Sequence, residues 1–297
     1  MAKISIIIIT HNAPSYVDET LTTLHDITAK NDLEKCEIII VDNASGSETK
    51  DLLKKAKQDG RIDKLFFSEK NTLFAGGNNI GVSLASKDSE LILLLNSDVS
   101  IKDSGWLHNL VKSKQQGGYA VASYGLCETP DRADGYCFLI DRNLYDKYHL
   151  DENFEWWWSI TKIQSQILQQ GGNILALGNH NHLLVHYGGK SGKDFVGAKG
   201  MDISQEKVLE WFDNAPGRVF FRDAQKTEAE LLQEVETSLN KCKAQLKQQT
   251  KELYQIQQEQ QKNITKYKKY RRAFRIAFAV SIVSVCLLVF AVCYVFL

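Results

Sequence analysis

Over roughly the first two hundred residues, short apolar runs alternate with segments in which apolar positions recur three or four apart. The runs at 4–9, 37–41, 64–68 and 91–95 are bounded by polar or glycine-bearing residues, the pattern of strands buried on both faces of a parallel sheet. The intervening segments at 15–27 and 48–57 predict helices. NTLFAGGNNIGVSLA, from residue 71, reads as a glycine-bearing loop entering a further helix. The resulting β-α-β-α order predicts an α/β unit with a mostly parallel, doubly wound sheet.

Near residue 225 the pattern changes. Leu232, Leu239, Leu246, Leu253, Gln260, Tyr267 and Phe274 form one column of a heptad repeat, and Val235, Cys242, Gln249, Ile256, Asn263 and Tyr270 form the other. Such a seam predicts a left-handed coiled coil and self-association, with Gln249, Gln260 and Asn263 weakening it while setting register or oligomer number. At about 1.5 Å per residue the stalk reaches roughly 60 Å. KYKKYRRAFR follows, and then a stretch of 22 residues without a charge, IAFAVSIVSVCLLVFAVCYVFL. Its length predicts a transmembrane helix, and the basic cluster before it predicts that the preceding domain faces the cytoplasm. The expectation is a single-pass, C-terminally anchored membrane protein. The same basic cluster suits contact with anionic headgroups as well as a topology signal.

Charge and cysteine content narrow this picture. Thirty-six basic residues balance thirty-six acidic ones, so the whole chain carries no nucleic-acid signature. Six scattered cysteines without a CxxC pair favour a reducing compartment over a disulfide or zinc framework. The first apolar run, MAKISIIIITHN, reads as a buried strand in preference to a signal peptide.

Three of the predicted strands end in polar residues: Thr10-His11-Asn12, Asp42-Asn43-Ala44-Ser45 and Asn96-Ser97-Asp98. Together they predict a polar crevice along the carboxyl edge of the sheet, where ligands bind in open α/β folds. Asp98 ends the greasiest strand, LILLL; a carboxylate there is paired, metal-bound or catalytic, or it caps a turn or helix. Gly76 and Gly77 would let backbone approach a phosphate, with a helix N-terminus behind them. No GxGxxG follows the first strand, which disfavours a dinucleotide-binding Rossmann domain.

IIIITHN, IIIVDNAS, NTLFAGGNNIG and LLLNSDV, in this order and spacing, resemble the family 2 glycosyltransferases of the GT-A (nucleotide-diphospho-sugar transferase) fold, particularly the rhamnosyltransferase-like branch. The likeness covers roughly residues 3–190. It implies an inverting transfer of a sugar from a nucleoside-diphosphate donor, a UDP- or dTDP-sugar, with a divalent cation, Mn²⁺ or Mg²⁺, on the diphosphate. By position, Asp98 would hold the cation, with His186 a further metal ligand or a diphosphate contact, and Asn96 and Ser97 would contact the donor within the motif that in the family ends on the metal-binding acid. Thr10, Asn12, Asp42, Asn43 and Ser45 would line the nucleoside pocket, while Gly76, Gly77 and Asn78 would contact the donor. LLVHYGGKSGK, from residue 183, resembles the family's closing segment, which would place Lys190 and Ser191 on a loop over the donor.

The expected general base is where the resemblance departs. The family pattern FDExFxxYxEDxDL is met here by LDENFEWWWSITKI, so Ser159, Ile160 and Lys162 replace the acids. Asp151, Glu152 or Glu155 would have to serve as base, or the domain would bind the donor without efficient transfer. Trp156, Trp157 and Trp158 are candidates for stacking on an acceptor sugar, and at least one is expected to pack the domain instead. The whole organisation then reads as a GT-A domain at 1–222, an oligomerising coiled coil at 226–272 and an anchor at 274–297. The expected role is sugar transfer to a glycan or lipid-linked glycan acceptor in surface polysaccharide biosynthesis; the alternative is a sugar-nucleotide-binding or scaffolding module at the membrane.

Overall fold

The computed structural model describes residues 3–190, 195–224 and 228–295, with backbone alone at 228–235 and 285–295. The chain divides into two compact units, 1–227 and 228–297. The first unit opens with β1 (Ile4–Thr10), α1 (Pro14–Ile27), α2 (Lys30–Leu33), β2 (Cys36–Asn43), α3 (Ser47–Gln58), β3 (Lys64–Ser68), α4 (Leu73–Ser83) and β4 (Leu91–Asn96). It continues through β5 (Val99–Ile101), α5 (Trp106–Gln116), β6 (Val121–Tyr124), β7 (Leu126–Cys127), β8 (Arg132–Ala133), β9 (Cys137–Asp141) and α6 (Arg142–Tyr148). It closes with α7 (Trp158–Gln169), β10 (Ile174–Gly178), β11 (Leu184–His186), α8 (Gln205–Glu210) and β12 (Val219–Asp223).

Among the described residues the central sheet has eight strands, ordered β12-β10-β6-β9-β4-β1-β2-β3. β9 runs antiparallel to β4 and β6; the other pairs in this sheet are parallel. The unit is thus an α/β fold with a mostly parallel sheet, as the alternating pattern predicts. The unbroken apolar runs follow from burial on both faces. Along β1, Ile4, Ile6 and Ile8 join one core with Leu93, Trp106 and Leu110, while Ile7 joins the other with Ile39, Leu94 and Ile163. Each fully buried Ile or Leu contributes roughly 1.5–3 kcal/mol of transfer free energy. Two smaller antiparallel pairs complete the unit, β5 with β11 and β7 with β8.

The glycines after residue 75 do not form a loop ahead of a helix, because α4 already begins at Leu73. They form its buried face. A Cβ on Gly81 would collide with Ile7 Cγ2, and one on Gly77 would meet both Ile9 Cγ2 and Asn43 Nδ2 at 2.9 Å. Glycine therefore lets α4 lie directly on β1 and β2, at the entropic cost glycine carries inside a helix.

The second unit is one helix, α9 (Glu228–Val295), of 68 residues. Leu239, Leu246, Leu253 and Ile256, all on the heptad columns, are exposed along it. The expectation of a membrane anchor is corrected here: among the described residues no helix is long and apolar enough to cross a membrane. A single-pass, C-terminally anchored protein is accordingly not supported, and residues 296–297 of the expected span lie outside the described residues.

Candidate active site at the carboxyl edge of the sheet

Parallel register sets the site. Ile9 lies opposite both Val41 and Asn96, and Thr10 opposite Asp42, so β1, β2 and β4 release their polar ends side by side. Beneath the crevice, Thr10, Asn12, Asp42 and Ser45 knit the first two ends together. Asp42 is fully buried: one carboxylate oxygen accepts from Thr10 Oγ1 at 3.2 Å and the other from the Ser45 amide at 3.2 Å. The Asn12 amide donates to Ser45 Oγ at 2.8 Å, and Asn12 Oδ1 accepts from the Gly46 amide at 3.0 Å. These bonds hold two sharp turns in which Asn12, Ala13 and Ala44 adopt left-handed backbone, with φ of 55°, 52° and 56°.

Asn43 carries the next step from strand to helix. Its Oδ1 accepts from Thr72 Oγ1 at 2.8 Å and its Nδ2 donates to the Leu73 carbonyl at 3.0 Å, which fixes the start of α4 against β2. A cleft opens above. Asn43, His11, Asn71 and Asn78 line it on the β1–β2 side, Asn96, Ser97 and Asp98 at the end of β4, and Trp156, Lys190 and Phe195 opposite. Gly76 and Gly77 are buried inside α4 and do not line it. Ser191, expected beside Lys190, lies outside the described residues.

Asp98 and His186 meet at the end of β4. β11 pairs with β5 so that His186 sits opposite Val99, and the Tyr187 amide donates to the Asp98 carbonyl at 3.0 Å. His186 Nε2 thereby lies 3.2 Å from Asp98 Oδ1 and 3.2 Å from Asn96 Nδ2. A protonated Nε2 donates to Asp98, whereas a neutral one with its lone pair there accepts from Asn96. Behind this pair Tyr136 stacks on the His186 ring, centroids 4.3 Å apart and planes within 13°. Its hydroxyl is 2.5 Å from His180 Nε2, and His180 Nδ1 is 2.9 Å from the Leu177 carbonyl. The carbonyl can only accept, so Nδ1 carries a proton and the phenol donates to Nε2. Burial lowers the His180 pKa and raises that of Tyr136, which keeps both neutral.

The carboxylates expected as general base are bound elsewhere. Asp151 Oδ1 accepts from the Asn153 amide at 2.9 Å within its own turn, Glu152 Oε1 accepts from Asn79 Nδ2 at 2.9 Å, and Glu155 Oε2 accepts from the Lys199 amide at 2.8 Å. None of the three lines the cleft; among the described residues Asp98 is the carboxylate that does. At the positions where acids were expected, Ser159 is buried with its hydroxyl donating to the Trp156 carbonyl at 2.7 Å. Ile160 is buried, and the Lys162 ammonium lies 4.1 Å from the centroid of the Trp211 ring.

The three tryptophans divide. Trp156 faces the cleft and stacks on Phe195, centroids 5.0 Å apart with planes within 9°. Trp157 is exposed, and Trp158 lies under the Arg132 guanidinium at 5.8 Å. Sequence reasoning did not single out Asn71, Phe195 or Tyr136, and it treated His11 only as part of a polar strand end. His11 had a local signal in its THN triplet; Phe195 and Tyr136 had none, since only tertiary packing brings them to the cleft and to His186.

The sequence matches the profile described as glycosyl transferase family 2 over residues 5–175. Among the curated proteins nothing matches. Among solved structures, the chain is similar to the mannosyltransferase PcManGT from Pyrobaculum calidifontis in complex with GDP-Man and Mn²⁺, at 16% identity and a TM-score of 0.51, over 60% of this chain and 55% of that one. It is also similar to GalNAc-T7 with UDP, GalNAc and Mn²⁺, at 17% identity and a TM-score of 0.50, over 58% and 41%. A looser likeness, 16% identity and a TM-score of 0.46 over 56% and 55%, is to S. aureus TarS 1–349 in complex with UDP. The chain spans about half the length of these structures, and at such identity the first two speak to the fold alone, which is GT-A. The profile match covers more than half of the sequence and includes all the polar strand ends that form the cleft: this chain belongs to glycosyl transferase family 2.

Proposed function

We propose that the first unit binds a nucleoside-diphosphate sugar in the cleft, with a divalent cation held by Asp98 and His186, and transfers the sugar with inversion to a glycan hydroxyl. The observation that carries this reading is the convergence of Asp98 and His186 at the carboxyl end of β4. Their separation of 3.2 Å fits two adjacent ligands of an octahedral ion, which stand about 3.0 Å apart when each bond is about 2.1 Å. No group of three His, Cys, Asp or Glu that could hold a metal occurs among the described residues. A cation here would take its remaining ligands from diphosphate and water, as Mg²⁺ and Mn²⁺ do in phosphate sites. An imidazole in the set favours Mn²⁺ over Mg²⁺. The cation supplies Lewis acidity for charge building on the leaving diphosphate.

The chain's own groups do the rest. The buried Asp42 network fixes the β1 and β2 turns under the nucleoside, Asn43 holds the start of α4, and Lys190 offers a positive charge beside the diphosphate. The stacked Trp156 and Phe195 present an apolar wall for a sugar ring. For α9 we propose pairing with α9 of a second copy through the heptad columns, giving an oligomerising stalk at 226–272 after a transferase domain at 1–222.

A second reading is favoured by one observation: Asp151, Glu152 and Glu155 are hydrogen-bonded away from the cleft. In it the unit binds a sugar nucleotide and organises partners without efficient transfer. The deciding experiment presents UDP-, dTDP- and GDP-sugars with Mn²⁺ to the full chain and follows both binding and release of nucleoside diphosphate. Metal-dependent release that is lost in Asp98→Ala supports transfer. Metal-dependent binding with no release in the presence of glycan acceptors supports the second reading, and absence of binding to every donor sinks both.

A further inference from the structure

Tyr136 touches His186 and the backbone of Asn96, two residues before Asp98, although it is neither member of the pair at the end of β4. Its carbonyl accepts the Asn96 amide at 2.8 Å, and its ring lies flat on the His186 imidazole, 4.3 Å between centroids. The ring is itself held, because its hydroxyl is bonded to His180 Nε2 and His180 is bonded to the Leu177 carbonyl at the end of β10. Tyr136 is 4% exposed, so the ring has little room to leave this position. β11, which carries His186, is a strand of three residues paired only with the three-residue β5 among the described residues. So short a pairing places the His186 backbone but leaves its side chain dependent on what packs against the ring.

We propose that Tyr136 is a positioning residue: its ring, anchored through His180 to the end of β10, sets the plane of the His186 imidazole so that Nε2 points at Asp98. This rests on the reading of Asp98 and His186 as the cation pair, and it names the element that makes an otherwise two-residue site rigid. Groups that orient a metal ligand typically govern affinity by 10–100-fold. The proposal divides Tyr136 into two separable parts. The ring orients His186, and the hydroxyl orients the ring.

The test uses the full chain with ¹³C-labelled histidine and follows the His186 ring protons by NMR, assigned by their loss in His186→Ala. Mn²⁺ affinity is measured on the same samples with UDP or GDP present, and folding is checked by thermal melting. A stacked phenol shifts the His186 protons upfield. The expected result is that Tyr136→Leu moves them towards the free-imidazole position and weakens Mn²⁺ about tenfold. Tyr136→Phe should retain the upfield shift and lose less than about threefold. His180→Ala, which leaves the tyrosine but removes its anchor, should fall between them and keeps the test open if Tyr136→Leu does not fold. Unchanged His186 shifts and unchanged Mn²⁺ affinity in folded Tyr136→Leu or His180→Ala overturn the proposal. Because the shift is read without metal, a wild type whose His186 is shifted by Tyr136 yet binds no Mn²⁺ refutes the cation reading while upholding the positioning role.

Discussion

His186 Nε2 stands 3.2 Å from Asp98 Oδ1, and the contact joins the end of a central strand to a three-residue strand near the end of the domain. Nothing local in either segment requires it. The pairing of β11 with β5 makes it, by fixing His186 opposite Val99, the residue after Asp98.

If this pair holds the cation, either side chain alone is insufficient. Asp98→Ala and His186→Ala should each weaken Mn²⁺-dependent binding of a nucleoside diphosphate on the order of 100-fold, and chelation by EDTA should do the same to the wild type. Calorimetry with UDP and GDP reads this directly; a variant that binds as tightly as wild type removes its residue from the site.

At the opposite edge of the sheet Glu37 gives the fold an acid limit. Burial pushes its pKa up, but bonds from Ser5 Oγ, the Ser86 amide, Lys64 and Ser86 Oγ outweigh this and hold it at about 2 against an ordinary 4.5. A depressed carboxylate stabilises fully above its unfolded value, and the contribution is lost as pH falls from about 4.5 towards 2. Glu37→Gln should therefore cost on the order of 2 kcal/mol at pH 7, with the gap to wild type closing below pH 4.5. Melting curves across that range decide it, and a gap that does not depend on pH contradicts the assignment.

Restoring an acid to α7 is not a simple repair. Ile160 is 5% exposed and packs on Gly135, where an added Cβ would lie 3.1 Å from Ile160 Cγ2. Ile160→Asp should destabilise by about 3 kcal/mol or more through burial of an unpaired carboxylate. Chemical denaturation measures the loss; an unchanged midpoint would mean that the helix start opens to water.

For α9, Cys242 is an exposed free thiol on one heptad column. In a parallel, in-register pair it faces its own copy at a spacing a disulfide can bridge. Mild oxidation should produce a covalent dimer, absent in Cys242→Ser, while Leu246→Asp should reduce it severalfold by breaking the seam. A chain that remains monomeric in sedimentation at micromolar concentration argues against pairing.

The strands β1, β2 and β4 were legible in the chain because local physics writes them: a strand buried on both faces must be apolar throughout, and one ending at a ligand edge must turn polar. The same holds for the heptad columns of α9, whose period is a property of the helix itself. Tertiary structure alone decided the rest. Gly76 and Gly77 look like loop residues in sequence, yet both lie within α4, and at Gly77 the side chains of Ile9 on β1 and Asn43 on β2 leave no space for a Cβ. Asp151, Glu152 and Glu155 look like candidate bases, yet Asn153, Asn79 and Lys199 supply nearer partners, and a carboxylate takes the bonds that packing brings to it. The uncharged end of the chain reads as a span from composition, but among the described residues no helix is long and apolar enough to cross a membrane. His186, Tyr136 and Asp98 meet because strand pairing and ring packing act between residues far apart in sequence, and no local pattern encodes such a distance.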